Sequence, residues 1–297
     1  MAQGVSNTLV SVIIVSGGRK DYIEPLLDSI KRQTHNNLQI ITIDNSNKNF
    51  TYCNALNNGI SDAKGEFILC LNDDVLLSAA FIENALKGFD INDKVGMVSG
   101  KILRFDKKTI DSTELFLTPW RTAKERGYGR KDVGQFEKNG YVFGVSGAVA
   151  FYRRKMLKDI KKMGTVLKGW DSPHFFEYFD SRFGFFYEDL DVAWRAQRMG
   201  WKGYYVPSAI AYHLRGGTAR VSEGKGKPLA RHYISDELHA CLIKNRYRTI
   251  AKNETMLGFL LHLPFILLYD MLVWFYVLSF KRGVIKCLRA TERSFGR

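Results

Sequence analysis

The apolar run Phe67 to Leu71 is followed directly by Asn72-Asp73-Asp74. Two carboxylates at the end of a buried strand can hold a Mg²⁺- or Mn²⁺-like ion, which would neutralise a diphosphate leaving group. The same side chains could instead do no more than cap a following helix. A second run ends in Ile43-Asp44-Asn45-Ser46, where a nucleoside's ribose or base edge could be read by hydrogen bonds, although such turns are common. Phe186-Tyr187-Glu188-Asp189-Leu190-Asp191 puts three carboxylates at a helix start, and one of them could be a positioned general base. A helix N-terminus favours the ionised form, so Asp189 would be available to accept a proton from an acceptor hydroxyl at neutral pH. Asp191 reads as the exposed i,i+4 partner of Arg195. His213 opens His-Leu-Arg-Gly-Gly-Thr; a lone histidine is more often structural, but beside Arg215 and a glycine-rich segment it suits holding a diphosphate as well as a metal. Ser16-Gly17-Gly18-Arg19 is a tight, amide-rich turn suited to a nucleotide, without the spacing of a dinucleotide fingerprint.

These residues need elements to position them. Leu9 to Val15, Leu38 to Ile43 and Phe67 to Leu71 are β-branched-rich runs of the kind buried in a parallel sheet. Between them, Tyr22 to Gln33 and Cys53 to Ala63 carry apolar residues at helical spacing. Alternating strands and helices imply right-handed crossovers and a doubly wound sheet, with ligands beyond the carboxyl ends of its strands. A helix over Phe81 to Phe89 and a strand over Val95 to Ser99 follow. Lys101 to Gly140 reads as an irregular excursion over the site, and apolar structure returns at Tyr141 to Tyr152. A basic helix near Arg154 to Lys162, an aromatic segment from His174 to Tyr187, a helix from about Asp189 to Met199 and a strand near Gly203 to Val206 close the domain. Gly200 is placed to stop the helix that begins at about Asp189. Arg215 to Pro228 holds four glycines and reads as a mobile flap.

At 297 residues and 45% hydrophobic content, the chain can bury a full core and add an appendage. Its four cysteines are far apart, which fits reduced thiols. The first apolar run is too short and too poorly flanked for a signal peptide, so a cytoplasmic location is expected. The net charge of +14 calls for anionic partners. No zinc-finger, RNP-like or basic-zipper pattern is present, so nucleic acid is not expected; a membrane surface is the better candidate. Met256 to Phe280 is almost wholly apolar and about as long as a membrane span, but His262, Pro264 and Asp270 interrupt it. Interfacial helices in one leaflet are favoured over a span, with a buried helix hairpin or a dimer interface as the other possibility. Lys281, Arg282, Lys286, Arg289, Arg293 and Arg297 follow, as at an anionic cytoplasmic face.

Taken in order, VSVIIV, IDNS, ALNNGI, GEFILCLNDDV, IDST with RGYGRKDVGQF, VFGVSGAVAFYRR, FFYEDLDVAWRAQRMGW and YVPSAIAYHLRG resemble the inverting family 2 glycosyltransferases of GT-A fold, in particular the bacterial rhamnosyltransferase-like branch. The resemblance covers residues 9 to 255. It implies an α/β, GT-A-type nucleotide-binding domain with a mostly parallel central sheet flanked by helices, followed by C-terminal apolar helices. A catalytic domain over 1–235 is expected, with a donor half at 9–100 and an acceptor half at 101–235, and then a membrane-associating region over 236–297. By resemblance Asp44, Asn72 and Asp73 would serve the nucleotide-sugar, and Ser16 and Arg215 are expected to join them from their own turns. Asp74 would hold Mg²⁺ or Mn²⁺ with help from His213, and Asp189 would be the base. Ser146, Gly147, Glu188 and Trp194 would border the acceptor. The implied partners are a UDP- or dTDP-sugar and a glycan or lipid-linked acceptor. Two features depart from the family: Ser16-Gly17-Gly18-Arg19 stands where many members have an aromatic-Asn or Asn-Tyr-Asn-like turn, and Thr51 stands where a glycine is common. A non-catalytic sugar-nucleotide-binding protein of the same fold and a nucleotidyltransferase are the competing readings.

Overall fold

The computed structural model describes residues 7–47, 51–163, 176–214 and 234–295. The first half alternates as the apolar runs require: β1 (Val10–Ser16), α1 (Lys20–Lys31), β2 (Leu38–Asp44), α2 (Tyr52–Asp62), β3 (Phe67–Asn72), β4 (Val75–Leu77), α3 (Phe81–Phe89) and β5 (Val95–Arg104). The short strands β6 (Ile110–Ser112), β7 (Leu115–Leu117), β8 (Ala123–Glu125) and β9 (Gly140–Val142) lead to β10 (Val149–Arg153) and α4 (Arg154–Ile160). The pair β11 (Lys162–Met163) and β12 (Phe176–Glu177) precedes α5 (Glu188–Arg198) and β13 (Lys202–His213). Three helices end the chain: α6 (Asp236–Asn253), α7 (Met256–Phe280) and α8 (Gly283–Phe295).

The central sheet runs in the order β2-β1-β3-β10-β5-β13-β4, with β6 on β5 and β9 on β13. β2, β1 and β3 are parallel neighbours, as are β5 and β13. β10 lies antiparallel between β3 and β5, and β4 antiparallel on β13. Side chains alternate across a strand, so one continuous apolar run feeds two cores. Ile13 and Val15 of β1 join Ile68, Cys70, Ala150 and Tyr152 under α2, α4 and α5. Val10, Val12 and Ile14 join Phe67, Leu69, Leu71 and Phe151 under α1 and α3. The result is a sheet covered on both faces, in which parallel strands need no polar side.

Several expectations change in detail. Asp73 and Asp74 occupy a turn between β3 and β4, and α3 begins after Ala80 without a side-chain cap, so neither aspartate caps a helix. β5 runs five residues past Ser99, and β13 continues past Pro207 to His213 through a register shift between Val206 and Ile210. Gly100 permits this: a Cβ there would stand 2.2 Å from the Ala209 carbonyl oxygen. The segment after Lys101 is not wholly irregular, since it holds β6 and the β7–β8 hairpin. The glycine-rich stretch from Arg215 to Pro228, and the first residues of the aromatic segment, lie outside the described residues.

Asp191 pairs with Arg195 at 3.0 Å as expected, but the pair is not exposed. The Asp191 carboxylate also takes hydrogen bonds from Lys252 at 2.7 Å and Asn253 at 2.9 Å, which ties α5 to α6. Burial alone would raise its pKa; Arg195 and Lys252 outweigh that and hold the carboxyl below the usual range. The C-terminal apolar stretch is one continuous helix rather than several. At about 1.5 Å per residue it is roughly 37 Å long, and only Ile266, Val273, Tyr276 and Val277 are buried. Two of its three interruptions face inward: His262 Nδ1 meets Arg121 Nη2 at 2.9 Å, and Asp270 accepts from Arg246 Nη1 at 2.5 Å, while Pro264 is exposed.

Candidate active site

Three strand ends form the floor of the site. Ser16, Asp44 and Asn72 are the last residues of β1, β2 and β3, and the parallel registers set Ser16 beside Asp44 and Val15 beside Asn72. Just beyond, Gly17 N–H donates to Asp73 Oδ2 at 2.8 Å and Ser16 Oγ to the same oxygen at 3.4 Å. Asp44 Oδ1 accepts from Ser46 N–H at 2.8 Å, a bond that lowers its pKa. Gly18 has φ +83°, and a Cβ there would sit 2.5 Å from Ser46 Cβ, so a glycine lets the turns after β1 and β2 touch. Asn72 Oδ1 accepts from the Tyr52 hydroxyl at 2.7 Å.

Asp74 lies on the next turn, facing the end of β13. Its carbonyl accepts from Leu214 N–H, and Oδ1 is 3.2 Å from His213 Nε2. The other imidazole nitrogen, Nδ1, is 2.8 Å from Asp111 Oδ2 of β6, a fully buried carboxylate 102 residues away. Burial opposes a charge on His213, but the bonds to Asp111 and Asp74 prevail and push the imidazole up to about 9. A carboxylate oxygen and an outward nitrogen facing each other, with a second carboxylate behind the ring, fit a hard divalent cation. Among the described residues no cluster of three or more His, Cys, Asp or Glu could hold one alone. Water and substrate oxygens would have to complete the shell.

The carboxylates of α5 reach the same place along β10. Asn72 N–H donates to the Ala148 carbonyl at 3.1 Å, and the neighbouring Gly147 N–H donates to Asp189 Oδ2 at 3.0 Å. A Cβ at 147 would stand 3.3 Å from Asp189 Oδ2 and 3.4 Å from Glu188 Oε1, so the backbone approaches both acids closely. Phe186 and Tyr187, just before them, have φ of 69° and 72°, a left-handed pair that is strained for aromatic residues. Asn245 of α6 pins the turn, its Nδ2 donating to the Phe185 and Phe186 carbonyls at 2.8 and 3.1 Å. Glu188 Oε2 is buried without a hydrogen-bond partner, and burial, reinforced by the charge of Asp189, raises its pKa to about 8.

Glu188 and Asp189 line a cleft of about 420 Å³ with Leu115, Trp120, Glu125, Leu242 and Tyr269 among its walls. Ser146 Oγ donates to Glu125 Oε1 at 2.9 Å, and Ser112 Oγ donates to the other Glu125 oxygen. Ser16, Asp44, Asn72, Asp73, Asp74, Ser146, Gly147, Glu188, Asp189 and His213 are thus linked along one end of the sheet. Trp194 is not part of that cleft: it is buried on α5, with the Arg121 guanidinium 5.6 Å over its ring. Arg215 lies outside the described residues. Sequence reasoning gave no separate role to Asp111, Glu125 or Asn245. Only Asp111, inside the IDST run, sat in a segment already marked.

Comparison with known proteins agrees with this architecture. The family model described as Glycosyltransferase like family 2 matches residues 2–233. A search of curated proteins finds no match. The structure of GalNAc-T7 with UDP, GalNAc and Mn²⁺ is similar at a TM-score of 0.53 and 10% identity, over 82% of this chain and 48% of that one. This chain therefore spans about half the length of that protein. The mannosyltransferase PcManGT from Pyrobaculum calidifontis, in complex with GDP-Man and Mn²⁺, is similar at a TM-score of 0.50 and 15% identity, over 95% of this chain and 73% of that one. At such identities the likeness is one of fold. With the family model matched over most of its length and the strand ends arranged as described, the chain belongs to glycosyltransferase family 2 and is a glycosyltransferase of GT-A-like α/β fold.

Proposed function

We propose that the enzyme inverts configuration in a single displacement, moving a sugar from a nucleoside diphosphate to a hydroxyl of a glycan or lipid-linked glycan. One observation carries this reading: the bond from Gly147 N–H to Asp189, next to the bond from Asn72 N–H to Ala148, sets the carboxylate at the edge of the strand-end floor. Asp44, Ser16, Asn72 and Asp73 hold the nucleotide on that floor. Asp189 takes the acceptor proton as the acceptor oxygen bonds to the anomeric carbon, and the bond from that carbon to the diphosphate breaks. Asp74 and His213 would hold Mg²⁺ or Mn²⁺, which when bound offsets charge on the departing diphosphate. Mn²⁺ accompanies UDP in one fold neighbour and GDP-Man in the other. Glu188, uncharged at neutral pH, presents a donor to the acceptor, with Ser146 and Gly147 shaping the cleft.

The resemblance to the bacterial rhamnosyltransferase-like branch makes dTDP- and UDP-sugars the first donors to test. Residues 236–297 bring the cleft to the inner face of a membrane, with α7 lying along the surface; the inward set of His262 and Asp270 supports that pose over a span.

The test is Asp189→Asn. Donor binding by calorimetry should be retained while transfer, read as nucleoside diphosphate release, falls by roughly 10²- to 10⁴-fold. Near-normal transfer would remove Asp189 from its role.

A further inference from the structure

The cleft beside Asp189 has a mixed lining. Glu188, Asp189, Glu125, Lys124 and Thr122 give it polar groups, and Leu115, the cross-strand partner of Glu125, joins Trp120, Leu242 and Tyr269 in an apolar wall. Leu242 comes from α6 and Tyr269 from α7, so the C-terminal helices build part of the site rather than hanging from it. The contact is fixed at several points. The Trp120 carbonyl accepts from Arg246 Nε at 3.1 Å and Nη2 at 2.7 Å, and its ring meets Phe265 edge-on at 5.6 Å. Arg121, in the left-handed region at φ 60°, ion-pairs with Glu254 and bonds to His262. Away from the cleft, α7 leaves Leu261, Leu268 and Phe275 49–68% exposed. Apolar surface therefore continues from inside the cleft to the outside of the molecule across a single helix.

Sugar hydroxyls set against Leu115 and Leu242 would lose water and gain no partner. A hydrocarbon there is favoured instead, by roughly tenfold in affinity for each 60 Å² or so that it buries.

We propose that this wall is a subsite for the apolar aglycone of the acceptor. The reacting hydroxyl faces Asp189, and the hydrocarbon passes between Trp120, Leu242 and Tyr269 toward the outer face of α7. The substrate class is an amphiphilic glycolipid, and the assignment rests on reading the Asp189 cleft as the acceptor site.

The test uses the full chain in phosphatidylcholine nanodiscs. Tyr269→Cys, and Leu242→Cys in case the first variant misfolds, are alkylated with N-ethylmaleimide beside methyl or n-octyl glycosides of glucose, galactose, rhamnose and N-acetylglucosamine. Modification at the introduced thiol is followed by mass spectrometry. An n-octyl glycoside should slow alkylation by roughly tenfold where its methyl counterpart does not, and an outward control beyond the path of the chain, Leu278→Cys, should respond to neither. Equal rates with the two series at 269 and 242, or equal slowing at 278, overturn the subsite. Nucleoside diphosphate release is measured in parallel on the unsubstituted chain. Its absence would count against the transfer reading alone, because thiol protection reports the subsite without turnover.

Discussion

Glu188 is the carboxyl of the cleft whose chemistry lies far from that of its free form. In the unfolded chain its carboxyl titrates near 4.5, whereas burial and the adjacent Asp189 raise it to about 8 in the fold. Between those values the folded protein holds more protons than the unfolded one, so stability falls as pH climbs through that window; below it both states are protonated and nothing is lost. Glu188→Gln mimics the neutral acid and removes the dependence. Its melting temperature should match the parent near pH 4.5 and exceed it increasingly toward pH 8, and a constant difference in scanning calorimetry across that range would contradict the assignment. The acids at element ends were legible in the sequence: Asp44, Asp74 and Asp189 each follow or open a run whose periodicity says where it stops. Asp111 and Glu125 were not, because their part depends on His213, 102 residues away, and on Ser146 across the cleft, separations that no local pattern encodes.

At the scale of elements, α6 acts as a brace. Asn245 supports the two left-handed residues before α5, while Lys252 and Asn253 hold Asp191 within it. Asn245→Ala should let that turn relax and misplace Asp189: kcat falls by roughly tenfold with the donor KM nearly unchanged. A matching rise in donor KM would mean that the damage spreads beyond the acceptor side. The strands and helices of the first half were readable from apolar spacing because both sheet faces are covered. β5 and β13 were read short because Gly100 and Pro207 look like breaks, and only their mutual approach, with a bulge to absorb the proline, shows why both strands continue. The polar look of Lys101 to Gly140 hid its short strands for a related reason: three-residue strands leave no usable period.

For the whole molecule, composition pointed toward a charged surface and an apolar C-terminal stretch but not to how that stretch meets the catalytic body. His262 and Asp270 interrupt its hydropathy in sequence; in space they are its attachment points, which leaves the remaining faces apolar and open. Removing residues 256–297 should shift the protein from the membrane pellet to the supernatant on ultracentrifugation, and undiminished pelleting would defeat the surface-bound pose. The order of the central sheet carries a consequence for biosynthesis. β10 fills the gap between β3 and β5, so a nascent chain that has emerged only as far as residue 104 displays the bare edge of β3 and a β5 that still lacks both sheet neighbours, β10 and β13. Such a ribosome-bound intermediate invites chaperone capture or self-association until some fifty more residues deliver β10, and a gene split between β3 and β5 would yield fragments that must find each other before either becomes stable.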